Sequence, residues 1–524
     1  MTTLIPKYYE GASGSVNRPI NLKLAEFISV KDFGAVGDGS TDDSASIQAA
    51  VNSGLPIQFP SGNYLIKTPI NLTTANQMLV GTGGKIIRAS GAMEANWIFN
   101  ASGINGLTFQ ELNFGVQTGS AVGAQTGGFI AVQNCSFMTV FNCIFNAQIP
   151  GLTVNTESTF ACIEMPNNNH ALIQGNEFLY FLGNACGANN GVGSGENGVD
   201  VSIVNNLFYN GVDTGIGNWT NAHDIAIVGN IFYKNDYSTP YNGVHIDVAG
   251  AQSLTITGNS FTGNSMGIRL LTNLGYTDKL VTISSNTFQN QYASSTEPAT
   301  GIKIAQYDGS AGGGDAAFNL LIIGNTFNVV TWGINLSPII NPPGANVLTA
   351  KIDDNLFDLS AANSVGVEFA VSSIYGNLKL SPGKNTFVGN GVSSIAVNGA
   401  TYPAIKGING GQENLAFQRS NFQFSGTTLT SLGSFYCGRG LYAMTAALGT
   451  CADGGGVGGV LYPADLSNTA VSTINQVVNA ASSNTSFDNF WYAINTEQPY
   501  QILFSPHVAG NTDNYHYLNF VRLI

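Results

Sequence analysis

The reactive side chains of this chain gather at one position of a repeated strand. The strand has the form Gly-aliphatic-x-aliphatic. It reads Gly198-Val199-Asp200-Val201, Gly243-Val244-His245-Ile246, Gly267-Ile268-Arg269-Leu270, Gly301-Ile302-Lys303-Ile304, Gly333-Ile334-Asn335-Leu336 and Gly366-Val367-Glu368-Phe369. Side chains alternate across a strand, so with the aliphatic pairs inside, every x points outward. Adding Glu164 from Cys162-Ile163-Glu164-Met165, the outward column becomes Glu164, Asp200, Gly217, His245, Arg269, Lys303, Asn335 and Glu368. A neighbouring column holds Ser202, Trp219, Asp247, Leu271, Ala305, Ser337 and Ala370. Only 9% of the chain is charged, so ionisable groups collected in one column mark a groove for a polar ligand. A solvated strand face is the plain alternative.

Acid, imidazole, guanidinium, ammonium and indole together suit a carbohydrate. Glycoside hydrolysis needs two carboxyl groups, ~5 Å apart for a covalent route and ~6.5–9.5 Å apart when a water must fit between them. Asp200 and Asp247 are the expected acid/base pair, with Glu164 and Asp213 in reserve. His245 would orient the pair or share its proton work. Gly217, a rung with no side chain, would leave a slot for the sugar. Trp219 offers a ring to stack on, and Arg269, Lys303, Asn335 and Glu368 extend the binding surface. The competing chemistry is β-elimination on a uronic-acid polymer, with Arg269 and Lys303 as cation and base and a calcium between Asp200 and Asp247. A third reading, from another class, is a spike that binds without cleaving. No dedicated metal cluster or cofactor motif occurs, and no cofactor is expected.

A second repeat must position this column. Aliphatic strands end in Asn-x-Phe at Asn176/Phe178, Asn206/Phe208, Asn230/Phe232, Asn259/Phe261, Asn286/Phe288, Asn325/Phe327, Asn355/Phe357 and Asn385/Phe387. Successive Asn residues lie roughly 24–39 positions apart, the period range of solenoids. The expected architecture is all-β, a right-handed parallel β-helix. Asn would sit in the left-handed turn and bond to the Asn of the next coil, and the Phe rings would stack inside. Ahead of the repeat, Thr41 is placed to cap a helix with Asp42 and Asp43 in its first turn, Ile47, Ala50 and Val51 on its apolar face and Gly54 at its end. Such a helix would cover the open end of the stack. Gly-rich excursions at 182–197 and 305–317 would form rims beside the groove. The expected domains are a neck or attachment segment at 1–29, the helix with its cap at 30–400, and a β-rich domain for subunit association at 401–524.

Composition narrows the partners. A net charge of −13 over 524 residues opposes binding to nucleic acid and to anionic lipid. With 44% hydrophobic residues the chain is not disordered, yet it contains no apolar run long enough to span a bilayer. Met1-Thr2-Thr3-Leu4-Ile5-Pro6 lacks a basic segment followed by an apolar core, so no secretory signal peptide is expected. The 6 cysteines show no CxxC and no zinc spacing, and are expected as free thiols in a reducing cytoplasm. A Cys437–Cys451 bridge is the alternative.

The stretch Val30 to Tyr64, with DFGAVGDGSTDD, a short helix and QFPSGNY, resembles the opening of the pectate-lyase-like right-handed β-helix superfamily. The preceding Asn17-Arg18-Pro19-Ile20-Asn21-Leu22-Lys23-Leu24 resembles the neck of bacteriophage tailspike depolymerases. The resemblance covers about residues 17–400. It implies a homotrimeric virion spike, made in the host cytoplasm and joined to the phage tail by its N-terminal segment. Its partner would be a bacterial surface polysaccharide, O-antigen or capsule, which it would bind and cleave internally.

Overall fold

The structure is a computed structural model. It describes most of residues 13–289, the strands between 299 and 397, and the backbone of strands between 414 and 522; the larger segments left aside before 289 are 118–126, 149–159, 188–197, 236–242 and 273–278. The glycine-rich excursions fall mostly outside the described residues, as do Asp213, Cys437 and Cys451. Two compact units are present, Met1–Phe261 and Thr262–Ile524.

In the first unit the chain coils as a right-handed parallel β-helix with three strands per turn. One coil runs through Ala161–Glu164, Asn169–Gln174 and Glu177–Leu179; the next through Cys186–Gly187, Val199–Val204 and Leu207–Tyr209. Each strand pairs in parallel with its counterpart one coil on. The first strand of each coil builds what we term the front sheet; the others build the second and third sheets.

The Asn-x-Phe repeat explains why the coils hold register. Asn206 is buried, and its Oδ1 accepts the Asn176 backbone N–H at 2.8 Å; Asn230 does the same for Asn206, and Asn259 for Asn230, both at 2.9 Å. The Nδ2 groups bond strand carbonyls, as Asn206 does to Ile173. Buried polar groups are thus satisfied at a corner where the strand ladder stops. The left-handed residue of this turn is the one before the Asn: Asn205 (φ 53°), Gly229 (φ 67°) and Gly258 (φ 67°). The expected Asn-to-Asn ladder is present, but the Asn itself does not carry the positive φ.

Inside, Phe114, Phe145, Phe178, Phe208, Phe232 and Phe261 form a column with neighbouring centroids 4.5–5.0 Å apart and planes within 12°. The one-coil repeat fixes this spacing, close to the ~4.8 Å between hydrogen-bonded strands. Cys143, Cys162 and Cys186 are buried free thiols in the same interior.

The helix Ser44–Asn52 buries Ile47, Ala50 and Val51 against the first strands. Asp43, not Thr41, is its N-cap, and it makes no side-chain cap bond. Its carboxylate instead accepts from the backbone N–H groups of Val36 (2.6 Å) and Gly37 (3.2 Å), fixing the preceding loop. Thr41 belongs to the strand Asp38–Asp42 and donates to Asp38. Upstream, Ile20–Leu24 forms a short helix, and Glu26 pairs with both Lys23 and Arg18.

The second unit repeats the pattern. Phe288, Phe327 and Phe357 stack at 4.8 Å, and Asn286, Asn325, Asn355 and Asn385 continue the bonding scheme. Parallel strands run to Ser393–Val397. From Asn414 the pairing is antiparallel, in a sheet ordered Asn414–Gln423, Thr512–Arg522, Gly440–Leu448, Phe487–Ile494 and another ordered Thr430–Tyr436, Pro499–Pro506, Val457–Pro463.

Candidate functional site

The front sheet of the first unit carries a row fixed by backbone register. Asn71 lies opposite Asn100, Asn100 opposite Ala131, Ala131 opposite Glu164, Glu164 opposite Gly187, Gly187 opposite Gly217, and Gly217 opposite Asp247. The flanking residues face the core: Ile163, Met165, Ile216, Ile246 and Val248 are all buried. The row itself therefore points outward. It also sinks along its length. Asn71 is exposed, Asn100, Ala131 and Glu164 are half-buried, and Gly187, Gly217 and Asp247 (7% exposed) are buried.

Glu164 and Asp247 thus bracket two rungs without side chains. The floor between them must stay bare. A Cβ on Gly187 would lie 2.1 Å from the Gly217 carbonyl oxygen, well inside contact distance. Three rungs separate the two acids, about 14 Å at the backbone. Behind the row, burial pushes the Cys162 and Cys186 thiols well up, so neither supplies a thiolate at neutral pH.

This register corrects the sequence reading at several residues. Asp200 is not in the row. It is the second residue of Val199–Val204 in the second sheet, where it is exposed. The expected Asp200/Asp247 pair is therefore split between two sheets, and a calcium shared by these two carboxylates goes with it. The physical reason lies in the strand: Val199 to Val204 alternates along its whole length, so its first four residues mimic the front-strand motif. The front strand of that coil is Cys186–Gly187, which lacks the motif.

His245 is also displaced. It is 5% exposed, and its ring lies 5.4 Å from Phe232 and 5.9 Å from Phe261, against the internal aromatic column. It stands opposite Gly215, whose Cβ would meet the His245 carbonyl and the Phe232 ring. Val244-His245-Ile246-Asp247-Val248 contains aliphatic-x-aliphatic twice, two residues apart, and alternation alone assigns both x positions to one face, whereas the structure turns the His245 ring inward. The structure selects Asp247 for the row. Trp219 follows a bulge and pairs with Val248, so it does not stand beside Asp247; Asp213 is outside the described residues.

In the second unit, Arg269 lies opposite Lys303, Lys303 opposite Asn335, and Asn335 opposite Glu368. Arg269 and Lys303 are half-buried and Asn335 is buried. These four form the row expected of them. Among the described residues no group of three or more His, Cys, Asp or Glu is placed to hold a metal.

Sequence reasoning found one bare rung, Gly217, and missed its neighbour Gly187. Gly187 sits in Ala185-Cys186-Gly187, where nothing repeats, and only the register identifies it.

Comparisons with known proteins bear on this architecture. Residues 27–292 match the family model described as rhamnogalacturonase A/epimerase, pectate lyase-like. The pre-neck appendage protein of Bacillus phage B103 is 35% identical over 82 residues, 16% of this chain and 9% of that protein. A tail spike protein of an Escherichia phage is 37% identical over 62 residues, 12% of this chain and 8% of that protein. The matched segments thus span about a tenth of these relatives. Among solved structures, a mutant tailspike of E. coli bacteriophage HK620 in complex with a pentasaccharide aligns over 99% of this chain and 97% of its own, at 12% identity and a TM-score of 0.46. The Streptococcus pneumoniae surface adhesin PfbA aligns over 72% of this chain and 94% of its own, at 15% identity and a TM-score of 0.40. The family model covers just over half of the residues, and the chain belongs to the rhamnogalacturonase A/epimerase, pectate-lyase-like family.

Proposed function

We propose that this protein is a phage tailspike that binds a bacterial surface polysaccharide and cleaves it internally by glycoside hydrolysis. The observation that carries the chemistry is the register of the front row, with acids on the rungs either side of two glycines. A pyranose chain can lie on that floor because no Cβ stands in its way, with Glu164 at one end and Asp247 at the other. Glu164 and Asp247 replace Asp200 and Asp247 as the acid/base pair. Three rungs put the retaining separation of ~5 Å out of reach; the reading requires both side chains to extend along the floor until the carboxyls stand ~6.5–9.5 Å apart, with a water between them. The route is then inverting. One carboxylic acid protonates the leaving oxygen as the glycosidic bond breaks. The other carboxylate takes a proton from the water that attacks the anomeric carbon.

The similarity to phage appendage and tail spike proteins supports the virion assignment. The neck at 1–29, the body at 30–400 and an association domain at 401–524 complete the reading, with a homotrimer as the assembled form.

One observation favours a second chemistry. Arg269 and Lys303 stand on adjacent rungs, which suits an anionic polymer and hence β-elimination. The test is incubation with purified O-chain or capsular polysaccharide. New reducing ends without the unsaturated-uronate absorbance support hydrolysis. Reducing ends with that absorbance mean a lyase, and binding with neither signal means an adhesin.

A further inference from the structure

The second sheet of the first unit carries a column of its own, at the entrance to its strands. Gly106 lies beside Phe137, Phe137 beside His170, His170 beside Asp200, and Asp200 beside Asp224, as the pairings of the adjoining residues show. All have left-handed backbone: Gly106 (φ 77°), Phe137 (φ 60°), His170 (φ 54°), Asp200 (φ 55°) and Asp224 (φ 59°). For a residue with a Cβ this conformation costs roughly 1–2 kcal/mol, and for one as bulky as Phe it is a true outlier. Gly106 shows that glycine satisfies the same backbone. The sequence nonetheless places Phe, His, Asp and Asp at successive rungs.

Every one of these four side chains faces solvent. Phe137 is 60% exposed, and the Asp200 and Asp224 side chains are each 61% exposed. They are also held in place. The Phe137 and His170 rings stack at 4.8 Å, with planes 11° apart. His170 Nδ1 lies 2.8 Å from Asp200 Oδ2, which turns the other ring nitrogen outward. His223 Nδ1 lies 3.0 Å from Asp224 Oδ2, and the Ser253 hydroxyl bonds the same carboxylate. On its other side Phe137 adjoins Gly106, over which the Asn76 amide sits, its Oδ1 2.2 Å from where a Cβ of Gly106 would be.

We propose that this strip, Phe137, His170, Asp200 and Asp224, is a saccharide-binding site separate from the front-sheet floor. A pyranose presents an apolar C–H face and a rim of hydroxyls. The exposed part of the Phe137 ring takes the former. The His170 and carboxylate edges take the latter, already oriented, so little side-chain entropy is lost on binding. Rungs repeat every ~4.8 Å, close to the advance of one pyranose along an extended glycan, so successive sugars meet successive rungs. Backbone strain retained at exposed, pre-ordered side chains is the pattern of a functional site. Asp200 acts here as a positioning residue for His170. This inference shares only its ligand class with the hydrolysis reading.

The test uses the full chain in a Glu164→Gln, Asp247→Asn background, so that cleavage cannot consume the ligand. The probe is an array of immobilised oligosaccharides cut from bacterial O-chains and capsules. Phe137→Gly should lower retention at least tenfold on the glycans that the parent holds. Its melting temperature should not fall, because glycine relieves the left-handed strain. Phe137→Trp should retain binding, and Asp200→Asn should weaken it while changing its pH profile. Equal retention by Phe137→Gly overturns the proposal, as does an array that retains neither protein. A change in sedimentation with unchanged retention overturns it too, since the ring would then be a contact between copies. Reducing-end release by the chain with intact Glu164, Asp247 and Phe137 tests the front-sheet reading separately.

Discussion

Gly217 stands directly opposite Asp247 in the front sheet, and His245, two residues earlier, turns its ring to the internal Phe column. This one pairing determines which acid faces the bare floor. It predicts that Asp247→Asn and His245→Phe fail differently. The first should remove cleavage and leave melting almost unchanged. The second should leave cleavage measurable, its effect appearing in stability. Parallel melting curves and reducing-end assays check this.

The floor predicts a steric penalty. Gly187→Ala places a methyl 2.1 Å from a backbone oxygen, so the strands must shift, at about 1–3 kcal/mol. Gly103→Ala is the control: its Cβ meets nothing within 4 Å, and only its left-handed φ of 68° opposes the change. Denaturant titration should rank Gly187→Ala as the more damaging, and it should also impair polysaccharide cleavage.

The internal ladders predict large core effects. Phe208 is stacked at 4.8 Å on Phe178 and 4.5 Å on Phe232, so Phe208→Ala should cost about 3–5 kcal/mol. Asn206→Ala strands the buried Asn176 N–H that its Oδ1 accepts, at about 1–3 kcal/mol. Chemical denaturation of each variant gives both values.

The N-terminal cap predicts an acid limb. Three hydrogen bonds from Thr41 and Ser40 hold the Asp38 carboxyl well below the usual carboxylate range. For Asp42, burial is the largest influence and pushes upward, but the combined hydrogen bonds from Ser44 and Lys67 bring its carboxyl down. A depressed folded pKa stabilises the native form above the unfolded pKa and loses that contribution as pH falls through the folded value. Protection of the Ser44–Asn52 helix should therefore weaken only in acid, and Asp38→Asn should flatten that dependence. Hydrogen exchange as a function of pH measures both.

Much of the fold was legible because its signals are long and redundant. Asn-x-Phe recurs down the chain, and burial of Phe178, Phe208, Phe232 and Phe261 follows from that repetition alone. The site was less legible because it depends on register. Alternation does not show which of two sheets a strand joins, nor which of two like positions two residues apart carries the outward side chain. Asp200 was misplaced by the first ambiguity and His245 by the second. The left-handed column of Phe137, His170, Asp200 and Asp224 leaves a faint trace, the second residue of successive strands such as Asn169–Gln174, Val199–Val204 and His223–Val228. Backbone dihedrals, which no residue type announces for Phe, were needed to find it.

The proposed Glu164/Asp247 pair also carries a stereochemical prediction. Acids three rungs apart predict that the first anomer released is opposite in configuration to the bond cut. Proton NMR of the nascent product, recorded before mutarotation, reads it directly. A retained anomer would mean a closer pair of carboxyls elsewhere.

The most direct measurement is the rate of reducing-end release from a cleaved O-chain or capsular polysaccharide by Glu164→Gln and Asp247→Asn, each beside the unaltered chain. Loss of a general acid or base predicts a fall of roughly 10²–10⁴-fold in each, with the glycan still bound. Wild-type turnover in either variant would contradict the account.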